Sequence, residues 1–329
     1  MRRIPGAHGP PTRASATPLP DPLALSTLRP MHLPPPLSPG ARVALVAPAG
    51  PLRGPEELHT AVANARSLGW DPIPGANVLA RHEYLGGADA ERIQDLNAAL
   101  ADDSIDAVWC VRGGYGSMRI LPHVDWASLA RRPRALIGFS DVTALHAAAS
   151  TRCGLVTYHS PTARGALTEF SRDSLVRAVI ERRDSCGRAE GARVVRGGRA
   201  HGRLVGGNLA LLAALAGTPF APDFRNGLLV LEDVGEPAYR IDRMLTQLRL
   251  AGALAQIAGL VVGHFTEAAP GHELSSHSLD LLVAEAADVA GVPAIVGAPL
   301  GHIDDQWTIP LGATAHLDAD ALTLTVRLS

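Results

Sequence analysis

The chain contains no lysine: all 30 of its basic residues are arginine. That absence excludes Schiff-base and pyridoxal-phosphate chemistry, a lysine general base and a Walker-type phosphate loop, because each needs a lysine amine. Cysteine is scarce. Cys110, Cys153 and Cys186 form no C-x-x-C pair, so neither a zinc knuckle nor a disulfide framework is indicated, and a reducing compartment is the simpler expectation. No stretch approaches the roughly 18 uninterrupted apolar residues of a membrane span. Nor is there an excess of one charge: Lys+Arg 30 against Asp+Glu 32 gives a formal −2, which marks no generic binder of nucleic acid.

What is present points to a globular α/β protein. At 329 residues, 47% of them hydrophobic, the chain has room for two domains of roughly 100–200 residues. Eleven of the 26 prolines fall in the first 40 residues, so 1–40 reads as a flexible extension without a role of its own. It opens Met1-Arg2-Arg3, but no apolar segment of signal-peptide length follows, and a cytoplasmic location is expected. From Ala41 short apolar runs alternate with helical stretches: Arg42–Ala47, a helix opened by Pro55-Glu56-Glu57, a helix over 88–100, Asp106–Val111, Ala135–Phe139 and a helix from Asp141. That alternation predicts a parallel sheet with helices on both faces over 41–165. Residues 166–200 are Arg-rich and weakly periodic, a helix plus a linker. Residues 201–329 form a mixed second domain, richer in strand and ending in the alternating run Leu322–Val326.

The most informative segment is Val111-Arg112-Gly113-Gly114-Tyr115-Gly116-Ser117-Met118-Arg119. A serine on a strand-to-helix turn projects its hydroxyl past the sheet's carboxyl edge, beside the free N–H groups of the new helix. Ser117 is therefore a candidate nucleophile, with the Met118 amide a natural oxyanion donor. The match to G-x-S-x-G is partial, since Arg119 stands where the second glycine belongs. Two other readings stay open: a poor dinucleotide fingerprint, lacking its third glycine, and an ordinary capped turn.

A serine needs a base, and the base an orienting acid. Glu232-Asp233 ends the apolar run Leu228–Leu231, and His302 follows the run Ala294–Val296 in a turn-rich loop. Both positions lie at strand ends, where α/β proteins keep their sites. Glu232 could equally serve a salt bridge with Arg240 or Arg243, and His302 a backbone hydrogen bond. His272-Glu273-Leu274-Ser275-Ser276-His277 has one residue too many for a zinc-protease helix, because histidines five apart lie about 140° apart around it. His264 and Glu267 would allow only a loop-built metal site. The Gly197-Gly198 and Gly206-Gly207 pairs lack a Walker context and suit close backbone packing. No cofactor or metal is expected.

Taken in order, Tyr84-Leu85-Gly86-Gly87, Glu91-Arg92, Asp95-Leu96-Asn97, Arg112–Ser117, Gly138-Phe139-Ser140-Asp141-Val142-Thr143-Ala144-Leu145-His146, Gly206-Gly207-Asn208-Leu209, Leu231–Glu236, Tyr239–Arg243, Gly301-His302 and Ile309–Gly312 resemble the LD-carboxypeptidases, serine peptidases of murein recycling. The resemblance spans roughly 40–312. It implies an amidotransferase-like N-terminal domain, a C-terminal domain with a small β-barrel, and a homodimer. It also implies a Ser–His–Glu triad falling on Ser117, His302 and Glu232, with Glu236 close enough to compete for the acid's place. The implied reaction releases the terminal D-alanine from a murein tetrapeptide with meso-diaminopimelate at the third position. Met118 and Gly114 amides would hold the oxyanion. An exopeptidase must grip a free carboxylate, and with no lysine Arg112 is the candidate. Ser160 stands where the family has glycine, a change that could alter a substrate contact.

Three rivals remain. Some members of the family cleave peptide–nucleotide antibiotics of the microcin C type, for which Trp307 could stack a base. A non-catalytic muropeptide-binding protein and a dinucleotide enzyme are the others.

Overall fold

The computed structural model describes residues 30–165, 167–266 and 276–328. The first sheet grows from apolar runs buried on both faces, as a parallel sheet covered by helices requires. Strand β1 (Arg42–Val46) leads into helix α1 (Pro55–Ser67), which carries proline at its start and Glu56 and Glu57 in its first turn. Then follow β2 (Asp71–Pro74), α2 (Asp89–Ala101), β3 (Ala107–Cys110), the single turn α3 (Ser117–Ile120), α4 (Trp126–Arg131), β4 (Ala135–Gly138), α5 (Thr143–Cys153) and β5 (Thr157–His159).

Residues 166–200, expected as a helix and linker, contain α6 (Glu169–Val176) and also two short strands, β6 (Gly187–Arg188) and β7 (Arg193–Arg196), that join the second sheet. The chain continues through β8 (Arg199–Asn208), α7 (Leu209–Leu215), β9 (Gly227–Val234), α8 (Ala238–Leu250), β10 (Gly259–Thr266), α9 (Ser276–Ala290) and β11 (Ala294–Val296). It ends with β12 (Ile309–Leu311), β13 (Thr314–Asp318) and β14 (Thr323–Arg327).

The first sheet has the order β12-β5-β4-β3-β1-β2, parallel throughout except for β12. That edge strand comes from the C-terminal part of the chain and pairs antiparallel with β5, Pro310 opposite Tyr158. The small barrel expected in the second half takes the form of an eight-stranded mixed sheet, β6-β14-β13-β8-β9-β10-β11-β7. Its centre, β8 to β11, is parallel. One apolar cluster runs unbroken from Leu45 and Trp109 of the first sheet to Leu228 and Val261 of the second. Among the described residues no helix is long and apolar enough to cross a membrane.

Candidate active site

Strand β4 ends at Gly138, with φ +154°, and the chain turns through Ser140, with φ +64°, into a short 3-10 turn and then α5. A non-glycine residue in the left-handed region costs roughly 1–2 kcal/mol, and such strain gathers where a side chain must be aimed. Glycine is required at 138, because an added Cβ would meet Cys110 Cβ and Val142 Cγ2 at 3.1 Å. The Gly138 carbonyl accepts from the Ser160 amide (3.1 Å) and from His146 Nε2 (2.8 Å). The strand–turn–helix thus presents Ser140 at the carboxyl edge of the sheet.

His302 comes to Ser140 from the other half of the chain. Its loop follows β11, and Gly301 (φ +113°) lets it pass close to β9 and β10: an added Cβ would meet His264 O at 2.9 Å and Glu232 Cβ at 3.1 Å. His302 Nδ1 lies 2.9 Å from Glu232 Oε2, and Nε2 lies 3.1 Å from Ser140 Oγ. The carboxylate can only accept, so it fixes the neutral ring with its proton on Nδ1. Nε2 is then the acceptor for the Ser140 hydroxyl. Glu232 is fully buried on β9, and Phe139 packs against the His302 ring with centroids 4.8 Å apart. Beside it Asp233 accepts from Asn208 Nδ2 (2.8 Å) and the Ala210 amide (2.9 Å), and burial pushes its carboxyl up to about 6.

Among the described residues no hydrogen bond joins Ser117 to this histidine. Gly116, at φ +132°, turns the chain so that Ser117 is fully buried, and its amide donates to Asp141 Oδ2 at 2.7 Å. Its hydroxyl meets no hydrogen-bond partner among the described residues. The Met118 side chain packs against the apolar cluster around Leu96 and Ile120. Ser117 has Tyr115 and Arg119 at the glycine positions of G-x-S-x-G, whereas Ser140 has Gly138 at the first and Val142 at the second. Asp141, raised by burial against the pull of the Ser117 amide, ties the 113–117 loop to the Ser140 turn.

That loop still lines the site. A Cβ on Gly113 would meet Ser140 Cβ at 2.8 Å, and Gly114 (φ +108°) sits against Gly50. Arg112, half-buried, donates to the Pro51 carbonyl. Burial and then the neighbouring Arg164 hold its basicity down. Arg164 is itself paired with Glu57 at 2.6 Å.

Glu236 is not the acid that meets His302. It lies in the turn after β9, 3.5 Å from Arg240. Ser160 is fully buried and its hydroxyl lies 2.8 Å from Thr308 Oγ1, tying the chain halves together. Trp307 is buried in the core and cannot stack a nucleobase. Among the described residues no group of His, Cys, Asp and Glu could hold a metal. Glu267 and the His272–Ser275 stretch lie outside those residues, as do the side chains of Ser276 and His277.

A serine on a strand-to-helix turn, bonded through a histidine to a buried carboxylate, is an arrangement that serine hydrolases use. Residues 43–160 match the LD-carboxypeptidase N-terminal domain and 201–317 the LD-carboxypeptidase C-terminal domain. The chain belongs to the LD-carboxypeptidase family. A putative carboxypeptidase of Streptomyces coelicolor is 44% identical over 88% of this chain and 94% of its own length. The murein tetrapeptide carboxypeptidase of Pseudomonas aeruginosa is 38% identical over 85% and 94%. Among solved structures, the muramoyltetrapeptide carboxypeptidase of Oxalobacter formigenes superposes with TM-score 0.75 at 30% identity, covering 87% of this chain and 98% of that one. An MccF-like protein of Bacillus anthracis gives TM-score 0.82 at 24% identity, covering 91% and 99%, and shares the fold.

Proposed function

We propose that this chain hydrolyses the L,D-amide bond of a murein tetrapeptide, releasing the terminal D-alanine, with Ser140 rather than Ser117 as nucleophile. The observation that carries the reading is the hydrogen-bonded chain Glu232–His302–Ser140. Ser140 Oγ attacks the carbonyl of the third residue and passes its proton to His302 Nε2, while Glu232 steadies the imidazolium. The Asp141 amide, which follows the nucleophile at the start of a helix and so takes the place first given to Met118, and the Gly114 amide receive the oxyanion. Such a donor is worth about 3 kcal/mol. His302 then protonates the leaving D-alanine amine, and water, activated by the same ring, resolves the acyl-enzyme. Arg112 beside Gly113 takes the terminal carboxylate. The relatives named for murein peptides are the more similar in sequence, and the burial of Trp307 removes the aromatic first considered for a peptide–nucleotide substrate. We place the enzyme in the cytoplasm as a homodimer, as the family resemblance implies.

The test is D-alanine release from the meso-diaminopimelate tetrapeptide by the native protein, Ser140→Ala and Ser117→Ala. Release lost only in Ser140→Ala supports the reading. Release lost only in Ser117→Ala returns the nucleophile to Ser117. No release by the native protein, with binding retained, makes it a muropeptide-binding protein.

A further inference from the structure

A cavity of about 380 Å³ lies between α5 and β8, bounded also by the 221–225 turn and by Leu311. From α5 it takes His146, Ala147, Ser150 and Thr151, positions i, i+1, i+4 and i+5, which share one face of a helix. Its volume falls in the range of small-molecule sites, which begins at roughly 300 Å³. None of Ser140, Glu232 and His302 stands in its wall, so it is a place apart from the catalytic arrangement.

The cavity has a charged end. Arg203 on β8 stands opposite Gly227, the first residue of β9, and Glu232 follows five residues later, about 16 Å along the strand. Arg225 donates from Nε to Asp223 at 2.9 Å. Burial raises the Asp223 carboxyl, but the hydrogen bonds and charge of Arg225, and then the charge of Arg203, hold it below its usual value. Two guanidiniums and one ionised carboxylate therefore line this end, a sum of one positive charge. A guanidinium has five N–H donors, so an anion can join such a pair without displacing the partners it already has. The α5 wall offers the opposite chemistry. His146 is 1% exposed, and its Nε2 donates to the Gly138 carbonyl at 2.8 Å. Nδ1 of the neutral ring is then a bare acceptor, and it is buried without a hydrogen-bond partner among the described residues. A buried acceptor left open is costly and calls for a donor.

We infer that this cavity is a second binding site, separate from the catalytic one, and that it takes a small N-acylated amino acid. The ligand's carboxylate joins Arg203 and Arg225 through charge-assisted hydrogen bonds, and its single negative charge balances the lining. Its amide N–H closes the open acceptor at His146 Nδ1. Its side chain packs on the apolar wall supplied by Ala147, Leu204 and Val205. An amino acid with a free ammonium brings no net charge and suits the positive lining less well. The bond from His146 to Gly138 places the ligand one side chain away from the turn that carries Ser140. The inference goes beyond the peptidase reading and does not rest on it.

The test titrates the full chain by calorimetry with three compounds. N-acetyl-L-valine carries every group the site asks for, N-acetyl-L-valinamide lacks the charge, and N-acetyl-L-proline matches the first in size but lacks the N–H. N-acetyl-L-valine is expected to bind with a Kd of about 1 mM or below. The amide and the proline compound should each bind about tenfold more weakly or worse. Arg203→Gln should weaken N-acetyl-L-valine by a similar factor. Ser150→Leu, which fills the cavity from a partly buried position on α5, should abolish binding, and His302→Ala should leave it unchanged. Melting curves establish that the variants fold, and the comparison of the three compounds on the native protein needs no variant. Absence of N-acetyl-L-valine binding at about 10 mM overturns the inference, as does equal binding of all three compounds. Binding lost in His302→Ala but kept in Ser150→Leu also overturns it, because the acid then sits at the catalytic serine. No turnover is read, so the outcome stands whether or not the chain releases D-alanine.

Discussion

Ser140 Oγ and His302 Nε2 stand 3.1 Å apart although 162 residues separate them in the chain. Ser140 is delivered by the end of a strand in the first sheet, and His302 by a loop beyond the last parallel strand of the second. Everything that holds either element at its sheet edge therefore bears on this hydrogen bond.

The two serines give the sharpest contrast. Ser140→Ala is expected to lower kcat for D-alanine release by about four to six orders of magnitude, as loss of a serine nucleophile does. Ser117→Ala, which keeps the backbone amide bonded to Asp141, should stay within about tenfold of native. Steady-state kinetics on both variants, with melting curves to establish folding, decide between them.

Ser140 also carries backbone strain, with φ +64°. Ser140→Gly removes both the hydroxyl and the strain, so the inactive variant should melt no lower than Ser140→Ala. A gain of up to about 1 kcal/mol over Ser140→Ala is expected in chemical denaturation. A Ser140→Gly protein less stable than Ser140→Ala would count against a strained elbow.

Glu232 is fully buried and fixes the tautomer of His302. Glu232→Gln keeps the shape but can offer its N–H to the ring, favouring the wrong tautomer. A fall in kcat of about four orders of magnitude is expected, with KM little changed. The same substitution at Glu236 should leave kcat nearly intact, which separates the two acids.

Two core histidines make the fold sensitive to acid. Burial pushes His159 down to about 3 and His146 down to about 4. The unfolded chain takes up these protons near pH 6.5 and the folded chain refuses them. Their stabilising contribution is therefore full above pH 6.5 and is lost as pH falls toward 4 and 3. At pH 5 the loss is about 2 kcal/mol for each. Asp233, raised to about 6 by burial, works in the opposite direction, so the native curve alone mixes the two. His159→Phe should flatten the fall in stability between pH 7 and pH 5 relative to native. An unchanged slope in urea unfolding at the two pH values would refute a buried neutral His159.

Ser160 tests the tie between the chain halves. Ser160→Gly leaves the Thr308 hydroxyl, fully buried, without its 2.8 Å partner. The expected loss is about 1–3 kcal/mol of stability with KM unchanged. A raised KM with native stability would restore a substrate contact for this side chain.

Much of this was legible in the residues. Apolar runs such as Arg42–Val46 and Ala135–Gly138 announce parallel strands because both faces are buried, and Glu232 and His302 announced themselves at strand ends. Ser140, whose hydroxyl bonds to His302, was not singled out from local pattern. Three glycines around Ser117 look like an elbow, yet they serve to thread a loop past Gly50, Arg92 and Ser140. What joins Ser140 to His302 is a positive φ and a loop from a distant segment, and the second of these is no property of its neighbours in sequence. The short strands 187–188 and 193–196 were missed because edge pairing, not periodicity, makes them strands.

The strand Ile309–Leu311 closes the edge of a sheet whose other members all precede residue 160. During synthesis that edge of β5 stays unpaired until residues 309–311 have left the ribosome. The serine after β4 meets His302 only once that residue has emerged, a few residues earlier. A chain that stops short of residue 302 thus leaves the Ser140 hydroxyl without this partner.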